Sequence, residues 1–274
     1  MSTEVRANGE RASLDLRVTG VMSTTVTLFL HPHVLTPTSY AITFAKLLNA
    51  RNLSNCRVLD VGCGSGFLSI IAAKQGARVW AVDISPTALE ITNKNAERND
   101  VALEVVVESD ALRAFLPYGE YSDVTFDLII CNNPSLPGKE ASDRDRNSYI
   151  EWNENGSGRD LLDAILIHGR RLLTPHGSLI THTSSEQGWE CTAKLLSDNW
   201  NDWETLLAME ASVDSEYYDE VRDLWLSQGS AYKKRGRTFH IVTLFEAYAE
   251  TRKRGSAGED KLLSQRLIRE VLDL

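Results

Sequence analysis

Three aspartates in the first half of the 274-residue chain stand at the ends of consecutive short apolar segments: Asp60, Asp83 and Asp110. Between the first two lies Val58-Leu59-Asp60-Val61-Gly62-Cys63-Gly64-Ser65-Gly66. A glycine-rich turn from strand into helix lets the backbone come close to a ligand, because no side chain is in the way. Dinucleotide binders space such glycines G-x-G-x-x-G and set a pyrophosphate at the helix N-terminus. Here the spacing is Gly62-x-Gly64-x-Gly66, one residue tighter at the third glycine, and Asp60 precedes the first. A carboxylate there repels a pyrophosphate and suits a ligand carrying ammonium and sulfonium charge. Asp83 follows the loop by about 20 residues, where an acid accepts hydrogen bonds from both ribose hydroxyls. Asp110, within Glu108-Ser109-Asp110-Ala111, could reach an adenine amino group. Each acid alone reads as an ordinary loop residue; three at successive strand ends read as one nucleoside site.

The elements that must hold these acids alternate. Arg57–Val61, Arg78–Val82, Leu103–Val107, Phe126–Cys131 and Ser178–His182 read as short strands. Phe67–Lys74, Pro86–Asn99 and Asp160–Leu173 read as helices, the second with Ser85 as N-cap and Pro86 at its first position. Repeated units of this length predict a parallel sheet with helices on both faces. Before them, Leu14–Val18 and Thr25–Leu30 are β-rich, and Ser39–Leu48 carries a helical apolar stripe. After them, Trp203–Met209 and Thr238–Tyr248 read as strands that add an antiparallel hairpin, with a helical insert near Glu216–Ser227 between them. The division expected is a disordered tail over 1–12, a β-rich segment and cover helix over 13–50, a main domain over 51–250 with its insert at 212–230, and a linker with a C-terminal helix over 251–274.

Residues 57–182 resemble the core of class I S-adenosylmethionine-dependent methyltransferases. The resemblance implies a doubly wound, Rossmann-like α/β fold with a mostly parallel seven-stranded sheet, a small β-rich N-terminal extension and a C-terminal helix. It implies S-adenosyl-L-methionine as cofactor, with Gly62, Gly64 and Gly66 at its methionine end, Asp83 at the ribose and Asp110 at the adenine. Thr38, Asp60, Cys63, Ile84, Ala111 and Asn132 complete the expected cofactor set. The run Phe126-Asp127-Leu128-Ile129-Ile130-Cys131-Asn132-Asn133-Pro134-Ser135 resembles the segment ending in Asn-Pro-Pro-Tyr in the "small domain" branch, which includes the release-factor glutamine methyltransferases and methylates amide or exocyclic amino nitrogens. There an Asn side-chain oxygen and a neighbouring carbonyl hold a planar NH2 for in-line attack, so catalysis is mostly positioning. His33-Val34-Leu35-Thr36-Pro37-Thr38-Ser39 and Asn155-Gly156-Ser157-Gly158-Arg159-Asp160 resemble flanking segments of the same branch, extending the likeness over about residues 28–185.

Carried over by position, Asn132, Asn133 and Pro134 are the candidate catalytic loop, with Asn132 positioning the acceptor. Tyr40, His33 and Ser135 are candidate substrate contacts. The loop departs from the family: its first proline is Asn133 and its aromatic is Ser135. Without the aromatic, a flat base loses a stacking surface worth about 1–3 kcal/mol. A small-molecule acceptor, a carboxylate or an amine, stands beside a peptide amide for that reason. A cofactor-binding homologue without turnover is a third reading, and a plain Asn-Pro turn a fourth. A nicotinamide oxidoreductase is opposed by both the glycine spacing and Asp60.

Composition sets outer bounds. The net charge of -9, with 42% hydrophobic and 24% charged residues, is that of an ordinary soluble domain and argues against broad adhesion to nucleic acid. Cys56, Cys63, Cys131 and Cys191 are scattered without zinc spacing, so no metal site is expected, and reduced thiols point to the cytoplasm. No signal peptide or membrane span is expected. The insert, with Tyr217, Tyr218, Leu224 and Trp225, reads as a lid, a homodimer face or plain packing. Lys233-Lys234-Arg235-Gly236-Arg237 reads as a solvated turn or a clamp for an anionic substrate.

Overall fold

The computed structural model describes residues 13–18, 23–134, 136–137, 152–153, 158–214 and 218–252. The expected tail over 1–12, the C-terminal helix and Ser135 lie outside the described residues. In chain order the elements are β1 (Ser13–Val18), β2 (Thr24–Phe29), α1 (Ser39–Asn49), β3 (Arg57–Val61), α2 (Phe67–Lys74), β4 (Arg78–Asp83), α3 (Pro86–Arg98), β5 (Val105–Glu108), β6 (Phe126–Cys131), β7 (Leu136–Pro137), β8 (Trp152–Asn153), α4 (Asp160–His168), β9 (Leu173–Ser184), α5 (Trp189–Asn199), β10 (Asp202–Ser212), α6 (Asp219–Gln228), β11 (Ala231–Lys234) and β12 (Arg237–Tyr248).

The main sheet runs β10-β12-β9-β6-β3-β4-β5, with β11 paired to β12 off this path. The five strands from β9 to β5 pair in parallel, while β12 joins β9 and β10 joins β12 antiparallel. The expected seven-stranded, mostly parallel sheet is therefore present, and β11 adds an eighth strand. Its connection to β12 is the two-residue turn Arg235-Gly236, both residues at positive φ (49° and 77°). That backbone matches the twist of a tight hairpin.

Two layers of side chains cover the sheet. Val58, Leu128, Ile130, Ile180, Val242 and Leu244 face α1, α2 and the β1–β2 hairpin. Leu59, Val61, Ile129, Leu179 and Phe245 face α4 and α5. Alternating burial on both faces is what makes these strands near-continuous apolar runs. Helix α4 is shorter than its apolar pattern suggests: a single 3-10 turn over Gly169–Leu172 follows it. Such tightening satisfies the last carbonyls before the chain enters β9.

Beyond the end of α1, Arg51 grips Glu246 of β12 through both carboxylate oxygens, at 2.9 and 2.6 Å. Ser178 donates to the same carboxylate at 2.6 Å. Burial pushes the Glu246 carboxyl up, but Arg51 and Ser178 outweigh it and hold it below its ordinary range.

The β1–β2 hairpin is fastened to α3 through carboxamides. Asn95 accepts from the Phe29 amide at 2.6 Å and donates to the Phe29 carbonyl at 3.2 Å. Asn99, one turn on, does the same at Thr27, at 3.0 and 2.8 Å. Asn95 also donates to the Ser65 carbonyl, inside the glycine loop, at 2.9 Å. Asn95→Ala would strand buried backbone groups at Phe29 and Ser65, each costing about 1–3 kcal/mol. Urea unfolding is expected to show a loss of about 2–4 kcal/mol, against little change for Lys94→Ala, whose partner Glu90 is exposed.

Candidate functional site

The carboxyl ends of the parallel strands gather the sequence-predicted residues along one edge. After β3 the chain turns through Gly62, Gly64 and Gly66, all at positive φ (72°, 54° and 76°). The amides of Gly62 and Cys63 both donate to the Val82 carbonyl, at 2.8 and 3.0 Å, which pins the loop to β4. A Cβ on Gly66 would meet Thr92 at 3.0 Å, whereas one on Gly64 would meet nothing within 4 Å. Gly66 packs against protein; Gly64 borders open space.

Asp83 is the joint of this edge. Its Oδ2 accepts from the Gly64 amide at 2.9 Å and its Oδ1 from the Ser85 amide at 2.9 Å. Burial raises the carboxyl, and the amides of Ser85, Gly64 and Ile84 pull it back. Ile84 beside it is 47% exposed, one of few large apolar side chains so placed. Ser109 donates its amide to the Asp83 carbonyl at 3.0 Å, placing the Asp110-Ala111 turn alongside. Asp110 is exposed and Ala111 has φ 48°.

Asp60 is different in kind. It is 2% exposed and accepts from Ser69 at 2.6 Å. Burial raises its carboxyl to about 7; Ser69 offsets part of this, and Asp83 adds to it. These features fit a nucleoside–amino acid cofactor: an open glycine cradle, a half-buried acid on the adjacent strand, an exposed Ile84 face, and a buried acid with little water to share its charge.

Beyond β6, the two asparagines differ. Asn133 Oδ1 accepts from Thr181 at 3.0 Å, so that side chain braces β6 against β9. Asn132 Oδ1 is buried and has no hydrogen-bond partner among the described residues. Pro134 is half-buried. Thr38 caps α1, its hydroxyl accepting from the Ala41 amide at 3.5 Å. His33 is exposed in its turn, where its amide donates to His31 Nδ1 at 3.2 Å.

Tyr40 lies inside. Its hydroxyl is 2.5 Å from His240 Nε2, and His240 Nδ1 is 3.0 Å from Glu186 Oε2. His182 sits 5.9 Å from the Tyr40 ring, centroid to centroid. Burial, and then His240, lower the His182 imidazole to about 3. The sequence reading singled out Tyr40 alone of this group. A polar side chain ending the apolar run of β9, and another in the even-numbered row of β12, were the available signals for His182 and His240.

Other expectations resolve into structure. Arg159 of the Gly158-Arg159 turn is buried and donates to the carbonyls of Gln187 and Gly188 and to Thr192 and Asp163. In the basic cluster, Lys234 pairs with Glu210 at 2.7 Å and Arg237 with Asp214 at 3.4 Å, as a solvated hairpin turn would have it. All four cysteines are free. Among the described residues no group of three or more His, Cys, Asp or Glu is arranged to hold a metal, and no helix is long and apolar enough to cross a membrane.

Comparison with known proteins agrees with this geometry. A family model described as "Methyltransferase domain" matches residues 52–239. A Methanocaldococcus jannaschii protein named as a protein N5-glutamine methyltransferase is 35% identical over 146 residues, covering 52% of this chain and 67% of the relative. A Shewanella ribosomal protein L11 methyltransferase is 40% identical over 94 residues, covering 34% of this chain but only 30% of the relative. Among solved structures, a Thermus thermophilus 16S rRNA N2 G1207 methyltransferase in complex with AdoMet and guanosine shares the fold at 16% identity and TM-score 0.52, over 86% of this chain and 50% of that one. A Pyrococcus furiosus methyltransferase does so at 15% and 0.52, over 82% and 90%. The chain belongs to the methyltransferase-domain family and is an S-adenosylmethionine-dependent methyltransferase.

Proposed function

We propose that the chain methylates a nitrogen nucleophile carried by a protein or peptide, with Asn132 positioning the acceptor. The observation that carries this reading is the Asn132 Oδ1 atom, buried at the end of β6 without a hydrogen-bond partner among the described residues. A buried oxygen of that kind costs about 1–3 kcal/mol unless a donor arrives, and an acceptor's N–H is such a donor. The neighbouring Asn133 cannot compete, because its oxygen is taken by Thr181. The relative named for glutamine N5 methylation supports a nitrogen acceptor.

In this reading Gly62, Cys63, Gly64 and Gly66 form the cradle for the methionine end, Asp83 receives the ribose, and Ile84, Asp110 and Ala111 flank the base. Bound S-adenosylmethionine supplies an electrophilic methyl group on a sulfonium. The chain's own part is orientation: Asn132 Oδ1 aligns the acceptor's N–H, and the loop carbonyl at Asn133 assists. A second reading, a small-molecule acceptor, draws on α6: Val221 and Trp225 seat it with Val213 and Ala231 in a separate apolar cluster beside Tyr40 and His240, as a roof over a confined pocket would.

Asp60 carries a charge argument of its own. Its folded value of about 7 exceeds the ordinary 3.8. A carboxyl shifted upward contributes stability that is fully present below its unfolded value and lost as pH rises through its folded value. The cofactor-free protein should therefore lose stability between about pH 4 and pH 7, and Asp60→Asn should flatten that slope in thermal unfolding. An incoming ammonium favours the ionised carboxylate, so cofactor binding below pH 7 is expected to release a proton. Calorimetry in buffers of differing ionisation enthalpy measures it; equal enthalpies in all buffers would remove Asp60 from the cofactor's charge contacts.

Asp83→Ala is expected to weaken S-adenosylhomocysteine binding at least about tenfold, for hydrogen bonds to a charged group are worth about 1.5–3 kcal/mol, while circular dichroism stays unchanged. Unaltered affinity would sink the ribose assignment. For the acceptor, tritiated S-adenosylmethionine offered with tryptic peptides and with a metabolite extract separates the two readings. Asn132→Ala should lower turnover about 10²-fold with cofactor affinity within twofold; wild-type turnover in that variant refutes the positioning role.

A further inference from the structure

Tyr40, His240 and Glu186 form a hydrogen-bonded chain that the methyl-transfer reading does not use. The links are 2.5 Å from Tyr40 Oη to His240 Nε2 and 3.0 Å from His240 Nδ1 to Glu186 Oε2. The His240 and Glu186 side chains are 1% and 2% exposed. The His240 ring stacks on Trp225 at 5.5 Å and 11°, and Tyr218 meets it edge-on at 6.1 Å. Tyr218 is also within hydrogen-bonding reach of Tyr40.

Strand register sets this chain beside Asn132. Cys131 pairs with Thr181, and Ile130 with Ile180. One further step brings Asn132 next to His182, on the face toward α1, because side chains alternate along a strand. His182 pairs with Leu244, so the even-numbered residues of β12, including His240, share that face. Tyr40 of α1 lies over both histidines, 5.9 and 6.1 Å from their rings. Three buried polar atoms around the chain have no hydrogen-bond partner among the described residues: His182 Nδ1, Glu186 Oε1 and Trp225 Nε1. Together these atoms offer both donors and acceptors to an incoming polar group.

We propose that Tyr40, His240 and Glu186 are a proton relay for the acceptor, an inference that rests on the methyl-transfer reading above. As the acceptor nitrogen bonds to the methyl carbon, the methyl–sulfur bond breaks and its electron pair stays on sulfur. The acceptor's N–H proton passes to Tyr40 Oη, while the Tyr40 hydroxyl proton passes to His240 Nε2. The resulting imidazolium is held by the Glu186 carboxylate and the face of Trp225, where a cation over an indole is favoured. The groups facing His240 are Tyr40 from α1, Glu186 from the turn after β9, and Tyr218 and Trp225 from α6 and the residue preceding it; His182 faces Tyr40 from β9 and is kept neutral by burial. The acceptor class is thus a nucleophile that must shed a proton, an amide or amine nitrogen, rather than an already ionised carboxylate.

The relay has a direction, and its test begins there. It requires His240 to carry its hydrogen on Nδ1, donating to Glu186, so that Nε2 accepts from Tyr40. Nitrogen-15 NMR of the histidine-labelled full chain with S-adenosylhomocysteine, assigned by loss of a signal in His240→Gln, reads the tautomer directly. An Nδ1–H tautomer whose Nε2 signal shifts in Tyr40→Phe is the expected result; an Nε2–H tautomer overturns the relay. In turnover with tritiated S-adenosylmethionine and tryptic peptides, the wild-type rate should rise with pH through one ionisation. Tyr40→Phe and Glu186→Gln should lose about 10²–10⁴-fold along with that ionisation, with S-adenosylhomocysteine affinity within twofold. Wild-type rate and profile in a folded variant would overturn the proposal. Absence of any turnover by the wild type would instead remove the proposed acceptor class, and the tautomer alone would then decide the relay.

Discussion

A single aspartate ties together three loops at the carboxyl ends of the parallel strands. Asp83 binds the Gly64 amide with one carboxylate oxygen and the Ser85 amide with the other, and its backbone carbonyl takes the Ser109 amide. The glycine turn after β3, the entry to α3 and the turn after β5 are therefore set against one residue at the end of β4. Within the glycine loop, with its three residues at positive φ, the Gly66 amide donates to the Cys63 carbonyl at 2.8 Å. Its remaining bonds come from Val82 and Asp83 on β4 and from Thr92 and Asn95 on α3.

The same edge separates two electrostatic environments. Toward β4 the Asp83 carboxylate is hydrogen-bonded by backbone amides, and beyond β5 Asp110 is exposed. Toward β6, β9 and β12 the polar groups are buried: Asp60 with Ser69, His182 held neutral, and His240 between a phenol and a carboxylate. In a low-dielectric setting each of these responds strongly to an arriving charge or donor.

Periodicity and spacing made the parallel core legible, because its strands are buried on both faces and its helices carry a single apolar stripe. The glycine spacing and the acids at strand ends were legible for the same reason: they are local, and the chemistry follows from residues a few positions apart. The Tyr40–His240–Glu186 chain was not. Its members stand 200 and 54 residues apart, and only the antiparallel return of β12 beside β9 brings them together. Nor could pattern tell that Asn133 would brace Thr181 while Asn132 would not, since that depends on the register of β6 against β9. Boundaries erred where tertiary packing decides them, as at the 3-10 turn that shortens α4 and at β11, a four-residue strand hidden in a basic run.

The carboxamides of Asn95 and Asn99 have a consequence for the N-terminal hairpin. A two-stranded ribbon has two outer edges, and a bare edge is a template on which another chain can add a strand. On the β2 side, the outward-facing amide and carbonyl of Thr27 and of Phe29 are already occupied by these two side chains. One turn of helix thus imitates a neighbouring strand, and the chain closes by itself an edge along which copies of it could otherwise aggregate.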